Sequence, residues 1–286
     1  MENKLRSIGD HSKIKTIQSV SGGDINQAYF VETAAQTYFI KSNKQVSATF
    51  FQAEAEGLDR IRATKTINVP EVFHYDVAQN DEEIFLIMEW VEGAKHASTG
   101  KWLGEDLAAL HSTNVGDQYG LDRSTFVGEI RQENLLFDSW LDYYREQRLQ
   151  PQMNLAISNG SMTGKRLKRM EQLLTRLDQY VPHAPRVSLL HGDLWGGNWL
   201  AGLNGKPYLI DPSIVYGDPL FEIAFTELFG GFPADFYASY QSTLPLKDYY
   251  EDIKPLYQLF YLMVHLNLFG ESYGTSVDRI LKHYTA

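Results

Sequence analysis

The chain has 286 residues, 43% of them hydrophobic and 22% charged, enough for a sizeable core in one large or two modest domains. Its formal net charge of -10 excludes a general binder of nucleic acid or anionic membrane, and any phosphate site must be built locally from a lysine, backbone amides and metal. There is no cysteine, which excludes disulfides, zinc–thiolate sites and thiol nucleophiles; with a polar amino terminus lacking a signal-peptide core, a cytoplasmic setting is expected.

After a short amphipathic lead-in, residues 17–33 read as strand, glycine turn, strand. Gly22 and Gly23 permit a hairpin whose amides can approach phosphates, although such a pair taken alone is equally a plain turn. Residues 37–41 form a further strand ending on Lys41. A lysine on the third strand behind a glycine hairpin can contact nucleotide phosphates, and the bland alternative is a solvated edge lysine; alternation does not say which way it points. Residues 49–61 are helical, with Phe50, Phe51, Leu58 and Ile61 on one apolar face. Glu54 lies near that face and needs a partner, for which Lys41 is the natural candidate, whereas Glu56 is rotated by about 200° and reads as solvated. Residues 69–76 and 84–91 pair around a turn at 81–83 and complete a five-stranded antiparallel sheet with one helix. The division between lobes is expected at residues 89–93, giving domains of 1–90 and 91–286.

The remainder reads as mainly helical. Residues 102–111 have leucines at helical spacing and close on His111, a structural histidine. Residues 114–133 are loop-like, 134–147 a second helix, and 164–180 a third whose Lys165, Arg166, Lys168 and Arg169 make a solvated face. Helices are also expected over 220–229 and 256–269, the latter too short to span a bilayer.

The chemistry concentrates between residues 187 and 211. An apolar run, Val187-Ser188-Leu189-Leu190, leads into His191-Gly192-Asp193-Leu194-Trp195-Gly196-Gly197-Asn198, and the next run, Tyr208-Leu209-Ile210, ends on Asp211. A carboxylate, a carboxamide and a second carboxylate at strand exits are what phosphoryl transfer from a nucleotide needs. One carboxylate accepts the proton of the attacking hydroxyl, while the amide and the other carboxylate hold magnesium. Each residue alone could be a turn or helix cap; the spaced set is harder to obtain by accident.

These motifs resemble the fructosamine/ketosamine kinase family, within the wider group of aminoglycoside and choline kinases, and the similarity covers nearly the whole chain. Its marks are Gly22-Gly23-Asp24-Ile25-Asn26-Gln27-Ala28-Tyr29, Phe39-Ile40-Lys41, the helix bearing Phe51, Glu54 and Leu58, the hinge Met88-Glu89-Trp90, and the 103–111 run. Gly128, Gln132, Asn134, Trp140, Arg148 and Leu149 follow. The most specific are the 191–198 stretch with its Trp195, Thr226-Glu227-Leu228-Phe229-Gly230-Gly231-Phe232, and Leu266-Asn267-Leu268-Phe269-Gly270. One departure follows Tyr216-Gly217, where the family has His, an acidic residue two positions on, and then Asp. This chain has Asp218-Pro219-Leu220-Phe221-Glu222, closer to the general small-molecule kinases.

The resemblance implies an α+β, protein-kinase-like fold with a small five-stranded antiparallel lobe and a larger, mainly helical lobe, and ATP between them. Adenine would lie against the backbone of Glu89, Trp90 and Val91, the Gly22-Gly23 hairpin would cover the phosphates, and Lys41, held by Glu54, would contact the α and β phosphates. Asn198 and Asp211 would hold Mg2+, and Asp193 would accept the proton of the acceptor. That acceptor would be the 3-hydroxyl of a free or protein-bound ketosamine, with Trp195, Trp140 and Arg148 on its side. The alternatives are a kinase for another small hydroxyl compound, such as an aminoglycoside or choline, and a nucleotide-binding scaffold without catalysis.

Overall fold

A computed structural model of the chain describes residues 1–20, 25–77 and 82–286. Gly22 and Gly23 therefore lie outside the described residues. In chain order the elements are α1 (Glu2–Ser7), β1 (Ile14–Ser19), β2 (Gln27–Thr33), β3 (Thr37–Asn43), α2 (Phe50–Thr64), β4 (Val72–Tyr75), β5 (Ile84–Glu89) and α3 (Thr99–His111). A short hairpin, β6 (Thr125–Val127) and β7 (Ile130–Gln132), precedes α4 (Trp140–Tyr143), a π-helical stretch Tyr144–Leu149, α5 (Gln150–Ser158) and α6 (Gly164–Thr175). Then come β8 (Ser188–Leu190), β9 (Trp199–Ala201), β10 (Pro207–Leu209), β11 (Val215–Gly217), α7 (Pro219–Thr226), α8 (Ala234–Thr243), α9 (Tyr250–Phe269) and α10 (Gly274–Thr285). The architecture is α+β, with one five-stranded antiparallel sheet and a larger helical part. Among the described residues no helix is long and apolar enough to cross a membrane.

Contact between distant segments groups the chain into two units, one of Met1–Leu110, Gly197–Ser213 and Pro233–Tyr240, the other of His111–Gly196, Ile214–Phe232 and Gln241–Ala286. The linear reading divides the chain once, after residue 90. The first unit instead runs on to Leu110, and both the β9–β10 hairpin and residues 233–240 return to it. Asn68 donates to the Pro207 carbonyl at 3.1 Å and accepts from the Leu209 amide at 2.9 Å, and the Thr99 hydroxyl donates to the Gly205 carbonyl at 2.7 Å.

In the first unit the strand order is β1-β2-β3-β5-β4. Val31, Tyr38, Ile40 and Ile87 point to the face that Leu5 of α1 covers. Side chains alternate along a strand, so Lys41, next to Ile40, points to the opposite face. There α2 packs against the sheet, burying Phe51, Ala55, Leu58 and Ile61. Glu54 falls between Phe51 and Leu58 at spacings of three and four, on the same helical face.

The second unit is built around α9, against which α5, α7 and α10 pack. Its core is aromatic: the Trp140 ring lies 5.4–5.9 Å from those of Tyr143, Tyr144 and Phe221 and 6.2 Å from Tyr257. The expected helix over 134–147 begins later and runs further, from Trp140 to Ser158 through the π-helical stretch. Pro151, which has no N–H to donate, falls where that stretch gives way to α5. Residues 114–133, read as loop, contain the β6–β7 hairpin, whose three-residue strands are too short for their alternation to show in the sequence.

One contact in the first unit sets a close helix crossing. A Cβ on Gly104 of α3 would collide with the Phe236 carbonyl oxygen and lie 2.9 Å from the Tyr240 nitrogen, both backbone atoms of α8. Alanine favours a helix interior by about 1 kcal/mol over glycine, whereas overpacking costs roughly 1–3 kcal/mol. Gly104→Ala is therefore expected to lower the midpoint of urea or thermal unfolding; a raised midpoint would show that the crossing relaxes freely.

Candidate active site

Lys41 is 5% exposed, and its amine sits 2.8 Å from Glu54 Oε1 and 2.7 Å from Asp211 Oδ1. Burial by itself would depress the amine, but the carboxylates of Asp211 and Glu54 outweigh it and hold the lysine charged, above its ordinary value. Burial pushes the Glu54 carboxyl up against the pull of Lys41. Two carboxylates on one ammonium leave surplus negative charge, and Asp211, whose side chain is 35% exposed, is the open end of the triad. Asp211 adopts φ 57, a left-handed conformation that non-glycine residues rarely take.

The β9–β10 hairpin sets Asn198 beside this triad. β9 pairs antiparallel with β10, and the Ile210 amide donates to the Asn198 carbonyl at 3.0 Å, tying the residue before β9 to the one before Asp211. Carboxylate and carboxamide oxygens are hard donors that suit magnesium, so the residues present fit that ion. Glu89 ends β5, with its amide on the Glu71 carbonyl at 2.8 Å. Trp90 packs edge-on to Phe30 at 4.8 Å, and Val91 leads to Gly93, where a Cβ would overlap the Gly202 carbonyl. The hinge residues, Lys41, Glu54, Asn198 and Asp211 all belong to the first unit.

Asp193 belongs to the second. β8, fully buried and paired with β11, delivers the chain to His191. Gly192 has φ +83, which is why a glycine stands in this turn. The turn is held from below by Glu222 of α7, whose side chain is 1% exposed. Its Oε2 accepts from His111 Nε2 at 2.9 Å and the His191 amide at 3.1 Å, and its Oε1 accepts from the Gly192 amide at 2.6 Å. Burial would raise this carboxyl, but His111, His191 and the Gly192 amide keep it below its ordinary value and therefore charged. The Tyr261 hydroxyl donates to the Gly192 carbonyl at 3.1 Å, and the Asp193 amide donates to His191 Nδ1 at 3.3 Å. Both peptide planes preceding the half-buried Asp193 are thus fixed. Sequence reasoning made His111 structural but did not single out Glu222. The available signal was one acid in the otherwise apolar run of α7.

Residues 2–286 match the family described as Fructosamine kinase. The chain belongs to the fructosamine kinase family. It is 39% identical over 274 residues to a protein of Lactiplantibacillus plantarum described as a ketoamine kinase, covering 95% of each chain. A Haemophilus somnus crystal structure described as a fructosamine-3-kinase superposes with a TM-score of 0.87 at 29% identity, over 99% of this chain and 95% of that one. An aminoglycoside phosphotransferase superposes with a TM-score of 0.64 at 15% identity, over 99% and 97%, a likeness of fold alone. This member of the fructosamine kinase family is accordingly an ATP-dependent phosphotransferase with a protein-kinase-like fold.

Two expectations for the acceptor side do not fit this fructosamine-kinase family member. Trp140 is 0% exposed, in the middle of the aromatic core, and its Nε1 donates to the Tyr257 hydroxyl at 2.8 Å. Arg148 is 3% exposed, with its guanidinium on the Asn134 side chain and the Glu133 and Gln147 carbonyls, over the rings of Tyr143 and Phe260. Neither offers surface to an acceptor; both are interior supports. Trp195, at 44%, is exposed.

The family departure at Asp218 has a structural reading. Asp218 caps α7, its Oδ1 accepting from the Leu220 amide at 2.9 Å, with Pro219 in the first turn, where a missing N–H costs nothing. Its Oδ2 accepts from the Tyr257 hydroxyl at 2.7 Å. The residue is 1% exposed and faces the Trp140 core. Burial lifts its carboxyl from 3.8 to about 6, against those two hydrogen bonds. Between those values the folded chain keeps a proton that the unfolded chain has lost, so the contribution of Asp218 to stability falls as pH rises through the window. Relative to Asp218→Asn, the natural chain should lose roughly 2–2.5 kcal/mol of stability between pH 4 and 7, most of it below pH 6. Urea unfolding of both proteins at stepped pH reads this directly; a pH-independent difference would mean that the buried carboxyl ionises without penalty.

Proposed function

We propose that this protein uses ATP and Mg2+ to phosphorylate the 3-hydroxyl of ketosamines, amines carrying a fructosyl or ribulosyl group, and that the unstable product releases the amine, a deglycation. The observation that carries the reading is the Lys41 ammonium clamped between Glu54 and Asp211. A buried cation fixed on two sides has little freedom and is ready to meet the α and β phosphates. Adenine is assigned to the backbone of Glu89, Trp90 and Val91 and the phosphates to Gly22 and Gly23, the latter on sequence alone. Asn198 and Asp211 are the residues that would hold magnesium, which when bound neutralises charge on the phosphates.

Asp193 takes the proton of the acceptor hydroxyl as its oxygen bonds to the γ-phosphorus and the bond to the ADP oxygen breaks. The Glu222 anchor supports that role, because a base acts only when held in one orientation towards the proton. Trp195, exposed two residues further on, is assigned to the acceptor side. Positioning and charge neutralisation supply most of the acceleration in such transfers, so the residues named are those that hold and orient.

The test is ADP release with magnesium-ATP against fructosyl-lysine, ribulosyl-lysine, an aminoglycoside panel and choline. Turnover is expected with the ketosamines; turnover confined to aminoglycosides or choline would overturn the acceptor assignment. In the same assay Asp193→Asn should lower turnover by about a hundredfold or more, since general-base catalysis contributes about 10²–10⁴-fold, while ATP binding is nearly retained. Undiminished turnover in that variant would remove Asp193 as the proton acceptor.

A further inference from the structure

The two stretches around Phe229 and Phe269 take no part in the chemistry above, yet they meet in the second unit. Phe229 follows α7 and Phe269 ends α9, and with His265 and Tyr273 they form one cluster of rings. Centroids lie 4.7 Å apart for Phe229–His265, 5.0 Å for His265–Tyr273, 5.6 Å for His265–Phe269 and 6.2 Å for Phe269–Tyr273. Unlike the core around Trp140, this cluster is open, with Phe269 51% and Phe229 42% exposed. Grouped phenyl rings kept in water, where burial would stabilise the fold, mark a recognition surface.

The cluster is continuous with the loop that carries Asp193. A Cβ on Gly196 would lie 2.7 Å from the Gly230 carbonyl oxygen and 2.8 Å from Gly231 Cα, so the two loops touch backbone to backbone. Beneath them Phe225 stacks on Tyr261 at 3.5 Å, and the Tyr261 hydroxyl reaches the carbonyl of Gly192, the residue before Asp193. His265 Nδ1 donates to the Tyr261 carbonyl at 2.8 Å, which leaves Nε2 as an acceptor in the neutral ring. Burial holds this imidazole below its ordinary value, so at neutral pH it brings no positive charge to the cluster.

A ketosamine bears its amine two carbons from the 3-hydroxyl. With that hydroxyl at Asp193, the amine and its substituent must leave over adjoining surface. Ring faces attract ammonium ions, and apolar substituents gain by covering exposed phenyl groups. We propose that Phe229, His265, Phe269 and Tyr273 form the subsite for the amine half of the acceptor, receiving an ammonium with an apolar or aromatic substituent. The proposal rests on the reading of the chain as a ketosamine kinase.

The experiment compares two fructosyl adducts that share the sugar and differ only in the amine, benzylamine against methylamine, with magnesium-ATP and the full chain. The natural protein should favour the benzylamine adduct in kcat/KM. In Phe229→Ala and in Phe269→Ala that preference should fall by about five- to tenfold through KM, the range of a lost aromatic or cation–π contact, and Phe269→Tyr should retain it. Both rings are half exposed, so truncation spares the core, and the unfolding midpoint of each variant verifies this. Equal use of both adducts by the natural chain, or alanine variants that keep its preference within twofold, overturns the subsite and leaves the kinase reading standing. Turnover of neither adduct removes both.

Discussion

A single buried ammonium organises the first unit. Removing a lysine amine from water costs several kcal/mol, and the cost is met only where opposite charge is fixed close by. Lys41 has Glu54 on one side and Asp211 on the other, drawn from a helix and from a hairpin 170 residues away in sequence. Strand alternation aims the amine, helical phase aims Glu54, and the Asn68 and Thr99 contacts bring in the hairpin. Losing Lys41 would leave two carboxylates facing each other without their cation, so local structure and charge balance specify one another here.

The second unit solves the matching problem with the opposite sign. Glu222 is a buried carboxylate, and its compensation comes from the His111 ring and two backbone amides of the turn it supports. One side chain thereby fixes three separate segments. The Tyr261 hydroxyl adds a fourth by occupying the Gly192 carbonyl. A carboxylate on such a turn has a defined direction, which a catalytic base requires and a solvent-exposed loop does not provide.

Much of this was legible from residues alone. Glu54 and the five strands could be read because period-2 and period-3.6 patterns mark elements and faces, whereas the direction of Lys41 is given by its contacts with Glu54 and Asp211. The His-Gly-Asp turn was readable because Gly192 marks a left-handed backbone. Depth was not legible. Trp140 and Arg148 share a motif series with surface residues, and spacing does not reveal that one is enclosed by rings and the other by carbonyls. Glu222 and Asp218 were visible as a departure from a pattern, yet the anchoring by Glu222 and the bond from Tyr257 to Asp218 depend on partners 31 and 39 residues away. The return of residues 197–213 to the first unit is defined by what they touch, whereas the amphipathic α10 was missed although Val277, Ile280, Leu281 and Tyr284 stand at helical spacing.

The left-handed backbone at Asp211 bears on how replacements there should be interpreted. Most side chains resist that conformation by about 1–2 kcal/mol, and asparagine resists it less than most because its short amide can bond locally. An alanine at 211 would therefore disturb the hairpin and remove the carboxylate together, confounding two losses. Asparagine removes the charge and leaves the chain path alone, so at this site it isolates electrostatics from conformation.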